Sequence, residues 1–109
     1  SVHPERMELL GDRVVSTRDP EKAVRILEED PTAFDLVITD LTMPRMTGIE
    51  LAAKMHKLRN DLPIILCTGY GHSITESQIK QSFVSAVIGK PIRKKDLAHT
   101  VRMVLDNRT

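Results

Sequence analysis

Short apolar runs alternate with helical segments along this chain, and the alternation limits the folds open to it. Three runs are nearly continuous in apolar residues, at positions 34–39, 63–67 and 85–88. Such continuity is typical of parallel strands that are covered on both faces. The segments between them carry apolar residues at helical spacing. Strands separated by helices in this way predict an α/β fold with a doubly wound parallel sheet.

Boundary residues mark a fourth strand and the helix that follows it. Residues 13–17 have the composition of a strand, and Asp19 and Pro20 come directly after it. Asp19 can accept hydrogen bonds from free backbone N–H groups, and proline fits the first position of a helix. We interpret residues 4–10 as the last turns of an earlier helix, which Gly11 ends. The sequence therefore predicts four strands.

The composition excludes several classes of protein. A chain of 109 residues is expected to form one domain, over 1–109. Its net charge of +1 gives no electrostatic field that would attract nucleic acid or anionic membranes. Cys67 is the only cysteine, so no internal disulfide is possible. No apolar run approaches the roughly 20 residues of a membrane span, and the N-terminus lacks the apolar stretch of a signal peptide. We expect a cytoplasmic protein without membrane contact.

Polar side chains follow three successive apolar strands. Asp40, Thr68 and Lys90 each stand at or just beyond a strand end. Because the carboxyl ends of parallel strands share one edge of a sheet, we expect the three side chains to converge there. Each of them alone is more often a turn, structural or surface residue. Together they suit phosphoryl transfer, with a carboxylate to attack phosphorus and an ammonium and a hydroxyl to bind its oxygens.

Three motifs at these strand ends give a specific resemblance. The segment from Asp40 to Gly48 resembles the motif of response-regulator receiver domains, in which Met-Pro follows a phosphoacceptor aspartate. Residues 66–70 are similar to the family's fourth strand with its switch threonine. Lys90-Pro91 is similar to the Lys-Pro after the fifth strand, where the peptide bond is often cis. The resemblance covers most of the chain, from 11 to 105, and implies a flavodoxin-like fold.

The resemblance implies a role for each matching residue. Asp40 corresponds to the site of phosphorylation, Thr68 to the switch hydroxyl and Lys90 to the ammonium that contacts the phosphoryl group. Asp40 and the backbone carbonyl of Thr42 correspond to ligands of Mg²⁺, the cofactor expected from the family. The implied partner is a histidine kinase or a phosphotransfer domain. The chain would then be a phosphoacceptor rather than a turnover enzyme, similar to the receivers of hybrid sensor histidine kinases.

Two departures from the family pattern change these expectations. The sequence lacks the family's first strand and the acidic pair that ends it, which leaves the expected Mg²⁺ site incomplete. Val87 stands where the family often has an aromatic residue that moves together with the switch threonine. The usual coupling between these two side chains therefore cannot operate in that form.

The missing first strand would leave a gap in the middle of the family's sheet, and three arrangements remain open. The native protein has further residues before Ser1, the second strand pairs directly with the third, or another chain fills the gap by dimerisation or strand exchange. We expect the first of these.

Two other functions also remain open. A pseudo-receiver that binds proteins without phosphorylation is favoured by the missing acidic pair and opposed by the three strand-end residues. A hydrolase of the haloacid-dehalogenase type would need a second aspartate two residues after Asp40, where this chain has Thr42.

Overall fold

A computed structural model describes the backbone of residues 8–9 and, with side chains, residues 14–41, 46–69 and 77–106, with Glu76 described by its backbone. The strands and helices alternate from residue 14 onward. In chain order they are β1 (Glu8–Leu9), β2 (Val14–Thr17), α1 (Pro20–Glu29), β3 (Leu36–Asp40), α2 (Gly48–Leu58), β4 (Ile64–Thr68), α3 (Glu76–Gln81), β5 (Ala86–Gly89) and α4 (Lys94–Asp106).

The described strands form one sheet in the order β1-β2-β3-β4-β5. Strands β2 to β5 are parallel, and β1 pairs antiparallel with β2 at the edge. The predicted parallel α/β sheet with four parallel strands is confirmed. Each parallel strand is followed by a helix, as the crossover between parallel neighbours requires.

The predicted helix at residues 4–10 is wrong for the part that the structure describes. Glu8 and Leu9 lie in a strand and pair with Ser16 and Val15. The free edge of β2 explains this difference, because its backbone N–H and C=O groups need partners that a helix does not supply.

Strand β2 pairs directly with β3, with Thr17 opposite Thr39. This is one of the three arrangements that the sequence left open. The expectation that further residues precede Ser1 in the native protein stays a prediction, as does dimerisation or strand exchange with another chain. The direct pairing matters for the site, because it places the residue after β2 next to the last residue of β3.

Alternate residues of the strands build a core on each face of the sheet. On one face, Val15, Val37 and Ile64 pack with buried residues of α1 and α2. On the other face, Val14, Leu36 and Ile65 pack with α4 through Val104. Because both faces are covered, the strands are held rigidly and their carboxyl ends have fixed positions.

Helices α1 and α2 begin after residues whose side chains cap their free N–H groups. The Asp19 carboxylate accepts a hydrogen bond from the backbone N of Lys22 at 3.1 Å. Thr47 and Glu50 form a reciprocal capping box at the start of α2. Within the described ranges, no helix has the length and apolar character that crossing a membrane requires.

Candidate functional site

Asp40 is the last residue of β3 and lies at the carboxyl edge of the sheet. Its strand neighbour in β4 is Cys67, and the backbone N of Leu41 donates to the carbonyl of Cys67 at 2.8 Å. The Asp40 side chain is 20% exposed. Its backbone is therefore fixed by the sheet while its carboxylate stays accessible.

The structure brings the side chains of Lys90 and Asp40 together. The Nζ atom of Lys90 lies 3.0 Å from Oδ1 of Asp40. The backbone N of Lys90 donates to the carbonyl of Thr68 at 2.7 Å, which ties the residue after β5 to the end of β4. The Lys90-Pro91 peptide bond is cis, as the resemblance led us to expect.

Thr68 ends β4 and is buried, with 9% of its surface exposed. Its strand partner is Gly89, and its carbonyl is the group that Lys90 contacts. Thr68 thus lies on the strand next to Asp40, at the same edge of the sheet. Thr42, the expected source of a carbonyl ligand, lies outside the described residues.

Gly48, the first residue of α2, lies directly against the backbone of Asp40. A Cβ atom at position 48 would stand 2.4 Å from the carbonyl oxygen of Asp40 and 2.4 Å from Cδ1 of Leu66. The backbone N of Gly48 donates to the carbonyl of Leu41 at 2.8 Å. Only glycine allows this close approach, so Gly48 lets the start of α2 pack directly against the end of β3.

Arg18 is a second cation at Asp40, and sequence reasoning missed it. Its Nε atom lies 3.6 Å from Oδ2 of Asp40, which is an ion-pair distance but too long for a hydrogen bond. Its side chain is 71% exposed. We expected another strand between β2 and β3, and only their direct pairing brings Arg18 beside Asp40.

Among the residues that the structure describes, those around Asp40 do not by themselves form a Mg²⁺ site. Mg²⁺ prefers an octahedral set of oxygen ligands, usually with one or two carboxylates. Here each carboxylate oxygen of Asp40 faces a cation, Lys90 on one side and Arg18 on the other. Within the described part of the chain, no three histidine, cysteine, aspartate or glutamate residues lie close enough to hold a metal.

The charges at this edge of the sheet act on the thiol of Cys67. The pKa of Cys67 is raised from 9.0 to about 11, first because burial disfavours the thiolate and second because of the negative charge of Asp40, while the positive charge of Lys90 acts in the opposite direction. The thiolate is the reactive form of cysteine. An increase from 9.0 to about 11 leaves about a hundredfold fewer thiolates near neutral pH than an ordinary thiol has.

Alkylation of Cys67 therefore reports the charge of the site. Asp40→Asn removes the nearby negative charge, lowers the pKa of Cys67 and is expected to speed alkylation by iodoacetamide. Lys90→Gln is expected to slow it. The measurement is the alkylation rate of the native protein at fixed pH, with the rate in urea as the control for each variant. Equal native rates in the three proteins would contradict this electrostatic coupling.

A cleft lies at the opposite end of the sheet. It has a volume of about 510 Å³ and is lined by residues that precede β4 and β5, including Pro63, Phe83 and Ser85. The rings of His56 and Phe83 stack there with their centres 3.8 Å apart. The cleft is separated from Asp40 by the length of the strands and takes no part in the site.

Comparison with known proteins places this geometry in a family. The family model for the response regulator receiver domain matches residues 5–102. The response regulator receiver protein CpdR of Brucella abortus is 30% identical over 99 residues, which cover 91% of this chain and 81% of that protein. The sensor kinase CckA of the same species is 29% identical over 85 residues, 78% of this chain but only 9% of the kinase.

Solved structures share the fold. A response regulator receiver domain protein from Clostridium thermocellum has a TM-score of 0.73 at 23% identity, over 81% of this chain and 70% of that one. A response regulator receiver protein from Sinorhizobium medicae has a TM-score of 0.70 at 23% identity, over 85% of this chain and 73% of that one. The match of the family model over most of the chain, together with this fold, shows that the chain belongs to the response regulator receiver domains of two-component signalling.

Proposed function

We propose that this domain accepts a phosphoryl group on Asp40 from a phosphohistidine and changes its protein partners as a result. The observation that carries the proposal is the 3.0 Å contact between Nζ of Lys90 and Oδ1 of Asp40 at the carboxyl edge of the sheet. A carboxylate that is partly exposed and paired with an ammonium can attack phosphorus while the ammonium stabilises the charge that develops on the phosphoryl oxygens.

The reaction is a direct transfer between two side chains. A carboxylate oxygen of Asp40 attacks phosphorus in line with the P–N bond of the phosphohistidine. The O–P bond forms, the P–N bond breaks, and the imidazole nitrogen leaves with the electron pair. Lys90 binds a phosphoryl oxygen, and the hydroxyl of Thr68, on the neighbouring strand end, is the group that we expect to turn toward another.

The donor would be a histidine kinase or a phosphotransfer domain. The similarity to part of CckA, which is named a sensor kinase, supports a receiver that works with such a kinase. Because the phosphoryl group of a histidine kinase comes from ATP, we place the reaction in the cytoplasm. The matched part is 9% of that kinase, which agrees with a receiver that forms one domain of a hybrid sensor kinase.

Phosphorylation would change the surface near the strand ends. The phosphoryl group carries about −1.5 to −2 charges at neutral pH and adds three acceptor oxygens. The loops that follow Asp40 and Thr68 would rearrange around it and present a different surface to a partner. Val87 is half-buried in β5 and has no aromatic ring to move with Thr68, so these loops carry the output.

Intact mass tests the proposal. The full-length protein is incubated with phosphoramidate, whose P–N bond resembles that of phosphohistidine, in the presence of Mg²⁺. We expect the mass of one phosphoryl group to be added to the wild type and to an Asp96→Asn control, which changes an exposed carboxylate on α4. Asp40→Asn should gain nothing. A wild type that stays unlabelled would instead support a pseudo-receiver that acts only by binding.

A further inference from the structure

The segment between β5 and α4 carries a run of exposed cations beside Asp40. Every charged residue from 90 to 95 is basic, namely Lys90, Arg93, Lys94 and Lys95, although the whole chain has a net charge of only +1. The last three of these residues are all exposed, and we call them the basic turn. Positive charge is therefore concentrated locally in a chain that is nearly neutral as a whole.

The fold places the basic turn close to the phosphoacceptor. The backbone N of Lys90 donates to the carbonyl of Thr68 at 2.7 Å, and the Nζ atom of Lys90 lies 3.0 Å from Oδ1 of Asp40. Arg93 is three residues further along, so its Cα atom lies at most about 11 Å from that of Lys90. The backbone N of Leu97 donates to the carbonyl of Arg93 at 2.9 Å, in the first turn of α4. An interface centred on Asp40 that covers about 800 Å² on each partner would be roughly 30 Å across and would include the basic turn.

Local stability does not explain the charges of the basic turn. The N-terminus of a helix carries a partial positive charge, so a cation in its first turn is repelled and a carboxylate is attracted. Helices α1 and α2 have Glu21 and Glu50 in their first turns. Helix α4 instead begins with Lys94 and Lys95, followed by Asp96. Among the described residues, no ion pair includes a residue of the basic turn. Natural proteins break such local rules mainly at functional sites.

We propose that the phosphohistidine donor docks on the basic turn through an acidic surface of its own. The inference rests on the proposed phosphorylation of Asp40. Opposite charges on two proteins attract over roughly 8 Å at physiological salt, which raises the rate of encounter and orients the partners. Once the donor is docked, the P–N bond of the phosphohistidine breaks, the O–P bond to Asp40 forms, and the imidazole nitrogen keeps the electron pair. The basic turn thus selects the donor, while Lys90 acts on the transfer itself.

An acidic protein fits these observations better than nucleic acid does. A domain that binds nucleic acid is usually strongly basic as a whole, whereas this chain has a net charge of +1. The basic turn also follows directly after Lys90, which contacts the carboxylate that we propose as phosphoacceptor. Its cations therefore lie where a phosphoryl donor has to approach.

Two synthetic peptides test the inference. Each carries one phosphohistidine, flanked by glutamates in the acidic peptide and by lysines in the basic peptide. The measurement is the second-order rate constant of phosphoryl transfer to the full-length protein in the presence of Mg²⁺, determined from intact mass at successive times. It is made in about 0.01 M and about 1 M salt, where the Debye length is about 30 and 3 Å. We expect the acidic peptide to react at least about tenfold faster than the basic peptide at low salt, and the two rates to converge at high salt.

Two triple variants show whether the preference comes from the basic turn. In the first, all three residues of the basic turn are replaced by glutamine. Its rates with the two peptides should agree within about threefold at low salt, and phosphoramidate should label it within about twofold of the wild-type rate. The matched control loses three exposed cations from α1 and α2, namely Arg25→Gln, Lys54→Gln and Lys57→Gln. The control should keep the preference for the acidic peptide.

Several results would overturn the inference and leave the proposed function standing. They are equal rates of the wild type with the two peptides, a preference that survives in the first variant, and no transfer from either peptide to a protein that phosphoramidate labels. Tighter binding of a short DNA duplex than of the acidic peptide at about 0.15 M salt would also overturn it, because the basic turn would then serve nucleic acid. A wild type that neither the peptides nor phosphoramidate label would overturn both.

Discussion

Replacing Lys90 by glutamine is expected to lower the rate at which phosphoramidate labels the protein by about a hundredfold, the usual effect of removing one group that stabilises transition-state charge. The reason is the position of its ammonium, 3.0 Å from the carboxylate that attacks. Glutamine keeps most of the length of the side chain but has no charge. The measurement is the initial rate of labelling, determined from the intact mass at successive times. The buffer is one in which the wild type is finally labelled to completion.

A control variant separates the effect of Lys90 on the labelling rate from a change in stability and from the loss of a positive charge elsewhere on the surface. Lys94→Gln removes an exposed lysine at the start of α4 and should leave the labelling rate unchanged. The free energy of unfolding should change by less than about 1 kcal/mol in both variants, because ion pairs between partly exposed side chains contribute little. A Lys90→Gln protein that is folded and labelled as fast as the wild type would contradict the role that we assign to Lys90.

Replacing Gly48 by alanine is expected to have the largest effect of any single methyl group near the site. The new Cβ would stand 2.4 Å from the carbonyl oxygen of Asp40, a backbone atom that cannot turn away as a side chain can. Overpacking of this kind costs about 1–3 kcal/mol of unfolding free energy. Because the strand end that carries Asp40 must shift, the labelling rate should also fall, by up to about a hundredfold for a displacement near 1 Å.

Gly89 provides the matched control for this substitution. It also lies at a strand end, yet a Cβ there would meet nothing within 4 Å. Gly89→Ala should therefore change the unfolding free energy by no more than about 0.5 kcal/mol. Urea denaturation and the labelling assay measure the two effects together. If Gly48→Ala and Gly89→Ala gave the same results, the close packing of α2 against Asp40 would have no importance for the site.

The parallel sheet could be predicted because its signal is local. The continuous apolar runs at β3 and β4 are needed only where both faces of a strand are buried, and Val37 and Ile65 are indeed fully buried on opposite faces. The same applies to α1, where Asp19 and Pro20 specify the start of the helix by their own chemistry. In each case the residues that form the element also contain the information that predicts it.

Strand pairing was harder to predict because it depends on what lies beside a strand. The sequence of residues 14–17 does not indicate which strand lies beside them. The family pattern suggested that another strand would separate them from β3. The interpretation of residues 8–9 as helix was wrong for the same reason, since their pairing with β2 is a contact between segments. Patterns of apolar residues identify strands but do not give their order.

The candidate site was predictable in part, and the limit has a physical cause. Asp40 and Lys90 could be placed together because both follow strands whose carboxyl ends share an edge. Arg18 could not, because it reaches Asp40 only through the direct pairing of β2 with β3. An exposed arginine in a turn gives no signal of its own, since most such residues are solvated surface charges.

The most direct test of this account locates the phosphoryl group on the chain. Protein labelled by phosphoramidate is reduced with borohydride, which converts an aspartyl phosphate to homoserine, and is then digested and sequenced by mass spectrometry. The account predicts that homoserine replaces aspartate at position 40 and at no other position. Reduction at a different aspartate, or a labelled protein without any homoserine, would contradict the central claim that Asp40 is the phosphoacceptor.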